Sequence, residues 1–81
     1  MVDLERLTAE NDDIIISNGN HGYVIMTCYD DGLHICEQYS NGFHPEKEKV
    51  FPDFHSMVAS YYIDKVPLRD VLHEFKLITC S

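Results

Sequence analysis

The sequence predicts an α+β fold in which a small central antiparallel sheet is flanked by two helices. Three observations carry this prediction: a run of three isoleucines, two apolar segments joined by an Asp-Asp-Gly turn, and one amphipathic segment with helical spacing. The chain has 81 residues and an apolar fraction of 44%, which suits one globular domain over residues 1–81 with a modest core.

The strands are predicted from residue type and from turn signals. Ile14, Ile15 and Ile16 are consecutive and β-branched, as in a strand whose two faces are both covered. The segments on either side of the Asp-Asp-Gly turn form a hairpin. If Asp31 and Gly32 make that turn, alternation places two sets of side chains on opposite faces. One set is Val24, Met26, Cys28, Leu33 and Ile35, and the other is Tyr23, Ile25, Thr27, His34 and Cys36.

Helices are predicted before and after these strands. Asp3 is a suitable N-cap for a short helix over residues 3–10. Asp53 caps a second helix, which residues 65–67 end. Because both faces of the sheet carry apolar groups, we expect one helix to pack on each face. The apolar stripe of the second helix consists of Phe54, Met57, Val58 and Tyr61.

The remaining segments complete the predicted fold. Residues 40–49 form a charged loop, which is a reasonable place for mobility or specificity. Residues 68–72 suit one helical turn, and residues 75–79 suit a last short strand with Phe75 and Leu77 on one side.

Charge and cysteine content exclude several classes of function. Acidic residues outnumber basic ones by 14 to 6, giving a net charge of -8, so nucleic acids and anionic membranes are repelled. No apolar run approaches the roughly 20 residues of a membrane span. The three cysteines include no CxxC pair, which favours reduced thiols and a cytoplasmic location. The expected partner is a protein or peptide ligand, and the acidic surface favours a basic segment. Whether that ligand contains a tyrosine and whether the chain self-associates stay open for so small a core, and no cofactor is expected.

In chain order, these segments resemble the Src homology 2 family, whose members bind phosphotyrosine peptides. The family's first helix and its Phe-Leu-Val-Arg strand have a counterpart in ERLTAENDDIIIS, and its next two strands have counterparts in HGYVIMTCY and GLHICEQY. Its second helix has a counterpart in FPDFHSMVASYY. The segment YIDKVPLRDVLHEFKLITC is similar to the endings of phosphoinositide 3-kinase regulatory subunits and Vav exchange factors. The resemblance implies an intracellular, noncatalytic protein-interaction module.

Two departures from the family change what the resemblance implies. The family's opening Trp-bearing strand is absent, and Ser17 stands where the motif has its phosphate-binding arginine. Losing the two charge-assisted hydrogen bonds of that arginine should cost roughly 3 kcal/mol, or about a hundredfold in affinity. Phosphotyrosine recognition is therefore expected to be weakened or lost. The resemblance implies a degenerate pocket formed by Ser17, His21, Thr27, His34 and Cys36, and a partner groove formed by Tyr39, Phe43 and Tyr62.

Two alternatives stay open at this point. One is a genuine phosphotyrosine reader in which His34, His21 or a cation from elsewhere in a larger parent protein replaces the arginine, although the local excess of aspartates disfavours a dianion. The other is a small metal protein using Cys28, His34 and Cys36. The chosen hairpin register points Cys28 away from the other two, and a fourth ligand is missing in any register. No signature of a cysteine hydrolase is present, so an enzyme is not expected.

Overall fold

The computed structural model describes residues 3–39, 42–43 and 48–81, with the side chains of residues 38, 39, 42 and 43 outside that description. The α+β class is confirmed. In chain order the elements are α1 (Leu4–Glu10), β1 (Asp13–Ser17), β2 (Gly22–Tyr29), β3 (Gly32–Tyr39), β4 (Gly42–Phe43), β5 (Lys49–Phe51), α2 (Phe54–Ser60), β6 (Tyr62–Ile63), β7 (Val66–Pro67), α3 (Leu68–Val71), a 3₁₀ turn (Leu72–Glu74) and β8 (Lys76–Cys80).

The main sheet is antiparallel throughout its described strands. Its order is β4-β3-β2-β1-β8, and β5 also pairs with β3. The isoleucine strand β1 therefore lies between β2 and β8, and β8 is the terminal strand on its side of the described sheet. Strands β6 and β7 form a separate two-stranded ribbon.

The described helices pack on one face of the sheet, so the prediction of one helix on each face is wrong. The Nε2 atom of His55 on α2 lies 3.0 Å from a carboxylate oxygen of Glu5 on α1, which places the two helices side by side. Buried residues of α1, α2 and α3 join one cluster with the sheet. That cluster consists of Leu4, Ile14, Ile16, Tyr23, Ile25, Ile35, Met57, Val58, Leu68 and Phe75.

The opposite face of the sheet is also partly buried. Val24 and Cys36 pair across β2 and β3, and both are buried without belonging to the helical core. On β1 itself, Ile15 is of intermediate exposure between the buried Ile14 and Ile16, so the consecutive isoleucines indicated the covering of both faces only in part. They did not show that the helices cover only one of them, because alternation assigns residues to faces without saying which element packs there.

The register of the β2–β3 hairpin differs from the predicted one. Tyr29 pairs with Gly32, so Asp30 and Asp31 form the turn, and a bulge separates Met26 from Tyr29. The bulge shifts the alternation by one residue. As a result, His34 and Cys36 share a face with Val24 and Met26, and not with Tyr23, Ile25 and Thr27 as the sequence suggested.

Both the backbone conformation of Gly32 and a close contact with strand β5 favour glycine at this position. Its φ is +125°, a conformation that L side chains rarely adopt. A β-carbon at this position would overlap the carbonyl oxygen of Phe51 on β5. The glycine therefore permits β5 to approach β3.

The helices begin as predicted but are short. Asp3 caps α1 by accepting a hydrogen bond from the Arg6 backbone N–H at 3.3 Å, and Asp53 caps α2 in the same way from Ser56 at 2.8 Å. The second helix ends at Ser60, earlier than predicted, because the chain then forms the β6–β7 ribbon. None of the helices in the described ranges has the length and apolar character that crossing a bilayer requires.

The closing strand begins one residue later than predicted. Phe75 precedes β8 and is buried in the core, whereas Leu77 is 40% exposed. Because Leu77 pairs with Ile16, a member of the same core cluster as Phe75, both side chains lie on the core side as predicted, and they differ only in how deeply they are buried. The predicted helical turn at residues 68–72 is confirmed by α3.

The two glycines with positive φ provide a direct test of the β3–β5 contact. Gly19→Ala should destabilise the fold by about 1–2 kcal/mol, because φ is +96° there but a β-carbon meets nothing within 4 Å. Gly32→Ala should destabilise it clearly more, since the new methyl group also displaces β5. Urea unfolding of the two variants measures the difference. Equal losses of stability would contradict the close approach of Phe51 to Gly32.

Candidate interaction surfaces

The structure distributes the five predicted pocket residues over separate places. Ser17 ends β1 and His21 lies in the next turn, so both are at one end of the sheet. Thr27 lies towards the other end of β2, and His34 and Cys36 lie on the face opposite the helices. These five side chains do not converge on one centre in the described structure.

Ser17 lies beside a cavity of about 220 Å³, which we call the Ser17 cavity. Its hydroxyl oxygen accepts a hydrogen bond of 3.0 Å from the backbone N–H of Gly19, so the side chain helps to fix the turn after β1. Ser17 pairs with Lys76 across β1 and β8. The cavity is lined by Ser17, Asn18, Gly19, Glu74, Lys76 and Ile78.

Lys76 is a cation whose position near Ser17 was not predicted from the sequence. The pairing of the first and last described strands brings it there, and the only sequence signal was the apolar segment that predicts β8. Glu74 lines the same cavity and carries the opposite charge. The Ser17 cavity therefore contains one ammonium and one carboxylate group, which offers little net attraction for a phosphate dianion.

His21 contributes to a second cavity, of about 200 Å³, which we call the tyrosine cavity. Its Nδ1 atom lies 2.7 Å from a carboxylate oxygen of Glu37. Asn18 orders the turn by accepting hydrogen bonds from the backbone N–H groups of Asn20 and His21, at 2.9 and 2.8 Å. The lining residues are His21, Tyr23, Glu37, Tyr61, Tyr62, Ile63 and Asp64.

Of the three residues of the predicted partner groove, Tyr62 is the one whose side chain lies in the described part of the structure. Tyr62 lines the tyrosine cavity and is 60% exposed. The side chains of Tyr39 and Phe43 lie outside the described residues, although their backbones belong to β3 and β4. Tyr23, Tyr61 and Glu37 were not predicted as surface residues of a site, because their proximity depends on the packing of α2 against the sheet.

Thr27 has a structural role. Its hydroxyl group donates a hydrogen bond of 2.5 Å to the carbonyl oxygen of Asn11, and its backbone N–H donates one of 2.8 Å to Asp12. These bonds fasten the link between α1 and β1 to strand β2. Thr27 is thus occupied in joining elements of the scaffold.

His34 is held between two acidic side chains and an aromatic ring. It is 8% exposed, and its Nε2 atom lies 2.6 Å from a carboxylate oxygen of Asp31. Its Nδ1 atom lies 3.3 Å from a carboxylate oxygen of Glu48, outside hydrogen-bond geometry. The imidazole ring lies over Tyr29, with a centroid distance of 4.1 Å. Two neighbouring carboxylates make this place unfavourable for a phosphate group.

The hydrogen bond between Asp31 and His34 shifts the pKa of both groups. It raises the pKa of His34, an effect that burial opposes and that Glu48 reinforces. It lowers the pKa of Asp31. Both shifts favour the charged pair, so His34 serves to neutralise its acidic surroundings.

Cys36 is a buried thiol without a metal-binding arrangement around it. Burial and the charge of Glu48 raise its pKa, so the thiol stays protonated near neutrality. Cys28 is exposed on β2, and Cys80 is half-buried at the end of β8. Within residues 3–39, 42–43 and 48–81, no group of three or more histidine, cysteine or acidic side chains is arranged to hold a metal ion.

Strand β8 presents apolar side chains at the edge of the sheet. Leu77 and Ile78 are adjacent in sequence and are 40% and 62% exposed. The register shifts between the pairs Ile15–Thr79 and Ile16–Leu77, which leaves Ile78 as the extra residue of a bulge. Its side chain lines the Ser17 cavity. Within the described sheet, β8 is thus a terminal strand that combines exposed apolar groups with an adjacent cavity.

Comparisons with known proteins provide no assignment for these surfaces. The chain matches no protein-family model, no curated protein and no solved structure. The function must therefore be inferred from the chemistry and geometry of the described residues.

The Asp31–His34 pair should make stability depend on pH in two directions. The contribution from His34 is fully present below the ordinary histidine pKa of 6.5 and is lost as the pH rises through its raised folded value. The contribution from Asp31 is present above its ordinary pKa of 3.8 and is lost as the pH falls through its lowered folded value.

Asp31→Asn should lower the pKa of His34, as measured by NMR titration, and reduce the loss of stability on the alkaline side. Glu5→Gln, next to the exposed His55, is the control and should leave His34 unchanged. A His34 pKa at or below 6.5 in the parent chain would contradict the observed hydrogen bond.

Proposed function

We propose that this chain is a noncatalytic protein-interaction domain of the Src homology 2 type, acting in the cytoplasm, with phosphotyrosine recognition weakened or lost. The observation that carries the proposal is the exposed apolar edge strand β8 beside the Ser17 cavity. The resemblance in segment order supports the same class of function.

Strand β8 suits the addition of an extended segment from a partner. A terminal strand has backbone N–H and C=O groups on its outer side that an incoming strand can pair with. Leu77 and Ile78 would add apolar contacts, and the cavity next to Ile78 would receive one side chain of the added strand. The bulge at Ile78 interrupts the regular edge, which limits indiscriminate pairing with other sheets.

The charge of the chain favours a basic partner segment over a second copy of itself. Two copies, each with a net charge of -8, would repel one another. A basic segment would instead be attracted over a distance of about 8–10 Å at moderate salt. Self-association through β8 is the competing outcome, and sedimentation equilibrium detects it.

The surroundings of Ser17 support the proposed loss of phosphate selectivity. A serine hydroxyl that already accepts a hydrogen bond from Gly19 cannot supply the two charge-assisted hydrogen bonds of a guanidinium group. Lys76 is the one observation that favours a genuine phosphotyrosine reader, because it lines the same cavity. Glu74 offsets its charge there, so we favour binding that is largely indifferent to phosphorylation.

Paired peptides, each tested with and without a phosphate on tyrosine, decide between these two functions. The parent chain should bind both members of a pair with affinities within about tenfold of each other. Ser17→Arg should increase the preference for the phosphorylated member, because it supplies the missing guanidinium. Ser60→Arg adds the same charge at the exposed end of α2 and should not.

A preference above tenfold in the parent chain would overturn the proposed loss of selectivity and favour the reader that uses Lys76. A folded Ser17→Arg variant without any gain would contradict the assignment of Ser17 to the family's arginine position. Peptide arrays read by fluorescence polarisation provide both measurements.

The edge strand is tested with the unphosphorylated peptides that bind best in the same array. Ile78→Glu should abolish their binding while changing stability by no more than about 0.5 kcal/mol, since the side chain is exposed. Val50→Glu is the matched control, because Val50 is also exposed but lies on β5 at the other side of the sheet. Equal binding by the parent chain and the Ile78→Glu variant would remove β8 as the docking edge.

A further inference from the structure

We propose that the tyrosine cavity receives a cationic side chain, of lysine or arginine, from the partner segment. This inference rests on the proposed interaction function and names the chemistry that anchors the partner. It follows from the aromatic walls of the cavity, its carboxylate groups and its size.

Two tyrosine rings form a rigid corner of the cavity. The rings of Tyr23 and Tyr61 have centroids 5.9 Å apart and are nearly perpendicular, with an interplanar angle of 84°. Phe75 contacts Tyr23 edge-on at 5.7 Å, and Phe51 contacts Tyr61 at 6.3 Å. These aromatic contacts with the core fix the orientation of both rings before any ligand arrives.

Tyr62 provides a third ring at the entrance of the cavity. The helix α2 ends at Ser60, and the chain turns into the β6–β7 ribbon, which presents Tyr62 next to Tyr61. A side chain that is 60% exposed is available to close over a ligand. Aromatic faces arranged around a small space attract cations, because the face of each ring carries partial negative charge.

The charged groups of the cavity select a cation over a neutral side chain. Glu37 and Asp64 line it, and no lysine or arginine is among its described lining residues. His21 contacts Glu37 at 2.7 Å. With a hydrogen on Nδ1, His21 donates to this carboxylate and orients it. The net charge of -8 adds a long-range attraction for basic segments.

The size of the cavity indicates a single side chain as its occupant. Its volume of about 200 Å³ is below the roughly 300 Å³ at which small-molecule pockets begin. Lysine and arginine have a flexible aliphatic stem that can pass Tyr62 and Ile63 while the charged end reaches the carboxylates. Such an occupant uses both the apolar and the acidic groups of the lining.

Blocked tripeptides test the cavity separately from the edge strand, because they are too short to pair along β8. The probes are Ac-Gly-Lys-Gly-NH₂, Ac-Gly-Arg-Gly-NH₂ and the neutral Ac-Gly-norleucine-Gly-NH₂, each titrated into the ¹⁵N-labelled chain. The two cationic probes should shift the amide resonances of Tyr62 and Asp64 saturably, and the norleucine probe should not. The resonances of Leu77 and Ile78 report independently on the edge.

Variants with matched controls identify the groups responsible. Tyr62→Ala and Glu37→Gln should each weaken binding of the cationic probes by about three- to tenfold. Tyr62→Phe keeps the ring, and Glu10→Gln makes the same change of charge at the exposed end of α1, so both should stay within twofold. Circular dichroism spectra that match the parent confirm that each variant is folded.

Three results would overturn the inference: no saturable shift with the cationic probes, equal shifts with norleucine, or equal losses for Glu10→Gln and Glu37→Gln. Failure of the interaction function is recognised differently. If the longer array peptides bind at Leu77 and Ile78 equally well after every lysine and arginine is replaced by norleucine, the cation anchor is wrong and the edge-binding function stands. If the lysine tripeptide binds the cavity but no longer peptide perturbs β8, the edge function is wrong and the cation site stands.

Discussion

The pairing of β1 with a strand on each side is the interaction on which the rest of the structure depends. Pairing with β2 aligns Ile14 with Ile25, and pairing with β8 places Cys80 beside Ile14. The isoleucine strand is thereby enclosed, and the helices cover its inward face. The same pairing brings Lys76 next to Ser17 and makes β8 the terminal strand. One set of backbone hydrogen bonds therefore builds the core and creates the proposed docking edge.

Local features of the fold were predictable because they depend on neighbouring residues. Asp3 and Asp53 cap helices, and Met57 and Val58 are buried, because capping and helical period act within a few residues. The hairpin register was not predictable by the same means. Gly32 lies against Phe51, which is distant in sequence, and the bulge between Met26 and Tyr29 changes which residues share a face with His34.

The candidate site was less predictable than the fold. Each of the two cavities includes one of the five predicted pocket residues, Ser17 or His21, but the groups around them come from other elements. Glu74 and Lys76 reach Ser17 only through the long-range pairing of β8. Tyr61 reaches Tyr23 only because α2 packs on that face of the sheet. Residue type indicates what a side chain can do, and tertiary packing determines where it can do it.

The position of β8 beside β1 has a consequence for the order in which the protein folds. Strand β1 pairs with β8 through residues that are far apart in the chain, such as Ile14 and Cys80. Contacts of this kind slow folding. Until β8 pairs with β1, the apolar strand β1 is itself an edge strand with which other strands can pair. Pairing with β8 removes that edge and leaves the bulged strand β8 as the terminal strand of the described sheet, so the proposed recognition of a partner would require the assembled sheet.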